Sequence, residues 1–171
     1  YITDLVGISA NEGFDVNYSF PFTKYESIGI NDKYQLSLAN KIAFKRKNID
    51  LMRKGVNIID PDNTYVDYNC DIEPDSTIQP GTIVKSSSTI KTNCIIGPDT
   101  EISNSLIAEN TIIKKSVVSD SKIGSEVKIG PYSHIRQDSN ISNKVYIGTN
   151  VEVKKSKIDS GSKLGHFCYI G

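Results

Sequence analysis

Arg136 and Lys154 stand 18 residues apart in a stretch whose repeat places them one above the other. Two cations stacked in this way repel each other unless an anion lies between them. Arginine offers a bidentate fork and lysine a point charge, a combination suited to phosphate. The alternative is that both side chains splay into solvent, as most surface lysines and arginines do. Tyr169 lies one coil further along on the same side, and His166 sits in the turn leading into that coil. Imidazole is the usual general base near neutral pH, so His166 is a candidate for that role beside the pair. Taken alone, a histidine in a turn is surface filler. His134 is the only other histidine. It precedes an aliphatic residue and points outward next to Arg136, in a supporting role or none. Two histidines cannot build a three-histidine zinc site, which argues against a hexapeptide carbonic anhydrase.

The elements that must position these residues are written in a period of six. From residue 64 to residue 171 an aliphatic residue returns almost every sixth position, from Val66, Ile72, Ile78 and Val84 through to Val153, Ile158, Leu164 and Ile170. The residue two places before each is Thr, Ser, Cys or Val throughout. A helix needs a period of 3.6 and an ordinary strand a period of 2, so this ladder predicts a solenoid of short strands, a hexapeptide β-helix. Three rungs make one triangular coil, and strands of adjacent coils lie about 4.8 Å apart. The column that ends at Ile170 then holds Val66, Val84, Ile102, Val118, Ile135 and Val153. Among the residues that follow the rungs, Arg136 and Lys154 form the one doubly cationic pair of adjacent coils.

Bulk composition narrows the function classes. The 20 Lys and Arg balance the 20 Asp and Glu, so no overall basic field recommends nucleic acid as a partner. The basic run Lys45-Arg46-Lys47 reads as a solvated helix face. No apolar run approaches the roughly 20 residues of a membrane span. Cys70, Cys94 and Cys168 all fall on the small-residue position of the ladder, so they read as core fillers and not as a disulfide or metal set. An odd number of unpaired thiols favours a reducing, cytoplasmic compartment.

Before residue 64 the period is absent. Thr3 or Asp4 can cap a short helix through Leu5 and Ile8 that Gly13 ends, and residues 14–20 alternate as a strand would. A second short strand is predicted around Ile28-Gly29-Ile30. Asn31 and Asp32 are good N-cap types for a helix of about twenty residues, with Leu38, Ile42, Ile49 and Met52 among its apolar positions. Gly55 is a natural stop for that helix, with Arg53 and Lys54 near its C-terminal dipole. A strand over residues 56–59 and a turn at Asp60-Pro61-Asp62-Asn63 follow. Sixty such residues bury little surface, and the solenoid ends without a capping element, so the chain reads as an internal fragment.

The runs Gly130-Pro131-Tyr132-Ser133-His134-Ile135-Arg136, Val151-Glu152-Val153-Lys154-Lys155-Ser156 and Gly161-Ser162-Lys163-Leu164-Gly165-His166-Phe167-Cys168-Tyr169-Ile170-Gly171 closely resemble the bifunctional enzymes of UDP-N-acetylglucosamine synthesis. Tyr1-Ile2-Thr3-Asp4 and Gly29-Ile30-Asn31-Asp32-Lys33-Tyr34-Gln35-Leu36 resemble the closing segments of the nucleotidyltransferase domain of that family. The resemblance implies a mixed α/β remnant of a nucleotidyltransferase domain followed by an all-β left-handed parallel β-helix. Residues 1–30 would close the uridylyltransferase domain, 31–63 would be a linker helix and strand, and 64–171 a truncated acetyltransferase β-helix.

By this resemblance Arg136, Lys154 and Tyr169 hold the phosphate of glucosamine-1-phosphate, and His166 takes a proton from its amine as it attacks acetyl-CoA. Asn31 would be both a substrate contact and a ligand to the Mg²⁺ that serves uridylyl transfer from UTP. A homotrimer is implied, with the acetyl site between subunits. The fragment itself should catalyse neither step. One departure stands out: the family commonly has proline after the arginine, and here Gln137 follows, which loosens that corner. The rival readings are a single-function sugar nucleotidyltransferase whose β-helix only oligomerises or regulates, and a solenoid that only binds.

Overall fold

The computed structural model of the chain describes residues 1–23 and 25–171. It divides into two compact units, Tyr1–Ala39 and Asn40–Gly171. In the first, helix α1 spans Asp4–Asn11, with Thr3 in the N-cap position but no side-chain cap bond. The chain leaves α1 through a paired stop in which the amides of Gly13 and Phe14 donate to Ala10 and Ser9. Neither strand expected around residues 14–20 and 28–30 forms. A strand needs a backbone partner for its ladder, and no described segment of this unit provides one. Tyr18 and Phe20 meet edge to face instead, at 5.3 Å.

Helix α2 spans Lys33–Arg53 and ends at Gly55 as its sequence predicts. Gly55 takes a φ of +98°, and the amides of Gly55 and Val56 donate to Met52 and Leu51. The buried face of α2 in the second unit differs from the expected one. Asn48 and Leu51 are buried, whereas Ile42 and Ile49 are half-exposed. The solenoid explains the difference. The amide of the residue before each rung donates to a carbonyl of the next coil, for example Tyr65 to Thr82 and Asp71 to Ser88. No earlier coil supplies an amide to Thr64 or Cys70. Asn48 Nδ2 donates to the carbonyls of Thr64 and Pro61 at 2.8 and 2.9 Å, and Lys47 Nζ to those of Cys70 and Tyr68 at 2.7 and 3.0 Å. The helix therefore closes the open end of the β-helix with side-chain donors, and the basic run holds a structural lysine where a purely solvated face was expected. Asn48→Leu, which leaves two carbonyls without a donor, is expected to lower unfolding stability by about 1–3 kcal/mol. Asp50→Ala on the exposed side should leave the denaturation midpoint nearly unchanged, and equal shifts would contradict this capping role.

The solenoid is a left-handed parallel β-helix with twenty short strands. Its three sheets hold seven, seven and six parallel strands, and sequential strands visit the three faces in turn. The first face begins with Asn57–Ile58, which pairs with Thr77–Ile78. The ladder thus starts one rung before Val66. That rung escapes a period of six because the Asp60-Pro61-Asp62-Asn63 turn makes the step from Ile58 to Val66 eight residues. The second face carries the rungs Val66, Val84, Ile102, Val118, Ile135, Val153 and Ile170, the column expected from the repeat.

Rungs from Val66 to Ile158 are buried and form one continuous core. The small residues beside them do more than fill space. Ser133 Oγ donates to the carbonyl of Gly148 at 2.6 Å and accepts the amide of Val151 at 3.2 Å, and Ser76 makes the same pair of bonds with Lys91 and Cys94. At Ser76, Thr111 and Ser133 the hydroxyl satisfies two backbone groups of the next coil, whereas the buried Thr82 Oγ1 has no partner among the described residues. Cys70 and Cys94 are buried and Cys168 half-buried, all with free thiols. Burial pushes the Cys70 and Cys94 thiols above the ordinary cysteine range, which keeps them protonated and unreactive.

Turn geometry accounts for the irregular steps. At the corner after the second face, the six-residue steps from Val84 and Ile135 each contain two left-handed residues, Ser86 with Ser87 and Gln137 with Asp138. The five-residue steps from Ile102, Val118 and Val153 contain one each, Asn104, Asp120 and Lys155. Gln137 has a φ of +37°. Proline holds φ near −65°, so this corner has a shape that proline cannot adopt. Gln137 changes the form of the corner as well as its stiffness.

Candidate functional site

Strand His134–Arg136 lies beside Glu152–Lys154, with Arg136 opposite Lys154 and His134 opposite Glu152. The next strand, Tyr169–Ile170, continues the ladder with Tyr169 opposite Glu152. Two parallel rows result on the second face. His134, Glu152 and Tyr169 form an outward row, and Arg136 and Lys154 form a corner row. The 3.3 Å advance per strand residue sets the two rows about 7 Å apart along the strands. His166 is in the turn at the other edge of the same face, exposed, with its ring edge-on to Phe167 at 6.0 Å. His134, Arg136, Lys154 and Tyr169 thus lie on strands of one face, and His166 is in the turn that leads into it.

Arg136 and Lys154 do not face one another as two bare charges. Arg136 Nη1 reaches a carboxylate oxygen of Glu152 at 3.1 Å, with both side chains a little over a third exposed at 36% and 39%. The Lys154 ammonium has no ion pair among the described residues. Glu152 is the site residue that sequence reasoning missed. The same rung count could have found it, because it immediately precedes Val153 and so falls in the outward row between His134 and Tyr169. Chemically, Glu152 orients the guanidinium and competes with any incoming anion for it, while Lys154 is left for that anion. A groove of about 810 Å³ lies around the corner from this face and includes Gln137, Asp138 and Lys155 in its lining.

Asn31 belongs to the first unit. The helix cap is Asp32 and not Asn31, since Asp32 accepts the Leu36 amide on its carbonyl and the Gln35 amide on its carboxylate at 2.7 Å. Gln35 in turn accepts the Asn31 amide at 2.6 Å, a variant of the capping box. This follows from α2 starting at Lys33, which puts the cap one residue later than Asn31. The Asn31 side-chain oxygen is left to other partners, but the neighbouring carboxylate is engaged. Magnesium requires six oxygens in near-octahedral geometry. Among the described residues no group of three or more His, Cys, Asp or Glu side chains that could hold a metal ion occurs.

Hexapeptide rungs and three parallel sheets define the class as a left-handed β-helix domain. Within that class, the chain belongs to the family described as the GMPPB C-terminal domain, which it matches over residues 66–165. It is 41% identical over 172 residues to the bifunctional protein GlmU of Clostridium acetobutylicum, and 44% identical over 172 residues to that of Limosilactobacillus fermentum. Both matches cover 100% of this chain, which spans only 37% and 38% of those relatives. Among solved structures, the acetyltransferase domain of PglB from Neisseria gonorrhoeae superposes with a TM-score of 0.61 at 18% identity, covering 72% of this chain and 64% of that one. The likeness to PglB is one of fold.

Proposed function

We propose that the chain is part of a bifunctional enzyme of UDP-N-acetylglucosamine synthesis and carries the amino-sugar site of its acetyltransferase. In the whole enzyme, acetyl passes from acetyl-CoA to glucosamine-1-phosphate, and a uridylyl group then passes from UTP to the N-acetylated product. The observation that carries this reading is the registered pair Arg136 and Lys154, with one cation steadied by Glu152 and the other unpaired among the described residues. The sugar phosphate sits against the pair, with Tyr169 as a further donor. His166 takes a proton from the amine while its nitrogen attacks the thioester carbonyl, and coenzyme A leaves as the thiol. The whole-chain identity to the GlmU relatives supports both activities for the longer protein.

The same reading makes residues 1–30 the end of the uridylyltransferase domain, 31–63 a linker and 64–171 part of the acetyltransferase β-helix. Asn31 then supplies one oxygen to a Mg²⁺ site that residues outside this chain complete. The enzyme acts as a cytoplasmic homotrimer. No described helix is long and apolar enough to cross a membrane.

Calorimetric titration of the chain tests the phosphate site. Glucosamine-1-phosphate is expected to bind and phosphate-free glucosamine to bind at least about tenfold more weakly, the scale of one lost charge-assisted hydrogen bond. Lys154→Ala and Arg136→Ala should each abolish that preference. Equal binding of the two sugars would overturn the assignment of the pair.

A further inference from the structure

A second cationic row lies on a different face. On the first sheet, Lys128 is opposite Tyr146, and Tyr146 is opposite Lys163. Successive strands are about 4.8 Å apart, so the phenol ring stands between two lysine stems on the same surface. Tyr146 is 47% exposed. Along the solenoid, Lys85, Lys91, Lys115, Lys144 and Lys157 each have a carboxylate partner. Among the described residues Lys128 and Lys163 have none. The three side chains line a groove of about 690 Å³, whose rim holds the Lys144 and Glu126 pair.

The charge of the rod strengthens this row. Residues 57–110 contain nine Asp and Glu against two Lys, whereas residues 111–171 contain ten Lys and Arg against five Asp and Glu. The chain as a whole is neutral, but the order of coils turns this segregation into an axial field, acidic at one end and basic at the other. The Lys128, Tyr146 and Lys163 row lies in the basic coils, where an anion gains from the summed field as well as from its nearest lysine. Unpaired lysines alone would specify only charge. The tyrosine between them adds a flat π surface, which suits a ligand that joins a planar ring to phosphate.

From these observations we infer that the Lys128, Tyr146 and Lys163 groove binds a nucleotide, its base stacked on Tyr146 and its phosphates held by the flanking lysines. This site is on the first face and does not depend on the Arg136 and Lys154 pair of the second. Titration of the chain with ADP, pyrophosphate and adenosine tests it. ADP is expected to bind at least about fivefold more tightly than either fragment, since stacking and charge act together. Lys128→Ala and Lys163→Ala should each weaken ADP about tenfold. Tyr146→Ala should bring ADP to the level of pyrophosphate, whereas Tyr146→Phe keeps the ring and should retain the binding. All of these positions are exposed, so the variants test contacts and not folding.

Arg136→Ala should weaken ADP binding far less than Lys128→Ala or Lys163→Ala does, which separates this site from the proposed amino-sugar site. ADP binding no tighter than pyrophosphate would overturn the inference, as would indifference to all three groove substitutions. Absence of ADP binding at millimolar concentration would do the same. None of these results would bear on glucosamine-1-phosphate at the other face.

Discussion

His166→Ala in the full-length enzyme is expected to lower acetyl transfer by about 10² to 10⁴, the usual contribution of a positioned general base. The substitution removes the imidazole at the edge of the second face but touches neither the rung Leu164 before it nor the ladder beyond it. Phe167 loses its edge-on ring partner, and both residues are exposed, so folding should be almost unaffected. The loss should therefore appear in turnover, read as release of coenzyme A thiol with glucosamine-1-phosphate as acceptor. Binding of that phosphate compound should change little, because Arg136 and Lys154 lie on strands of that face and His166 in the turn that leads into it. Uridylyl transfer by the same protein should stay within about twofold, as the reading assigns it to another site. Equal loss of both activities would point to a general structural effect and remove His166 from the base role.

Ile135→Ala is expected to cost about 2–5 kcal/mol of stability, and Ile135→Val only about 1 kcal/mol. Ile135 is fully buried, with Val118 and Val153 in register on either side. Deleting its outer carbons leaves a cavity that a stack of short parallel strands cannot close by local movement. Each coil contacts mainly its neighbours, so the damage should be local along the axis. Hydrogen exchange should quicken in His134–Arg136 and in the flanking strands Val117–Ser119 and Glu152–Lys154 before it does near Leu51. Arg136 and Lys154 flank that cavity, so the variant should also lose the preference for phosphorylated glucosamine at lower temperature than the parent. Similar melting of the alanine and valine variants would show that this rung is not packed as described.

Much of the fold could be read from spacing because a β-helix repeats its own geometry. Once Val66 to Ile170 are taken in threes, each face, its rungs and the partner of Arg136 follow, and the ladder pairs them in that register. Legibility failed where the repeat was interrupted. The rung at Ile58 lay behind an eight-residue step, and the capping face of α2 uses Asn48, a polar residue that an apolar pattern passes over. The strands expected before residue 31 alternated correctly but had no ladder to join.

Glu152 shows the same limit within the site. Its position follows from the repeat, but it lies in a different row from Arg136, and nothing in the spacing says which way a guanidinium turns. The choice between Lys154 above it and Glu152 beside it depends on rotamers over a folded face. The groove around Tyr146 is similar, since two lysines 35 residues apart become neighbours of one ring only through the coil.

The sequence by itself determined the solenoid, its register, the burial of Cys70 and Cys94 and the coincidence of Arg136 with Lys154, because each of these depends only on position modulo a coil. Tertiary structure alone decided which end is closed by Lys47 and Asn48, which side chains neutralise one another and which lysines remain open. Those outcomes depend on donors, acceptors and charges meeting across different rows or elements, and such meetings have no period to read.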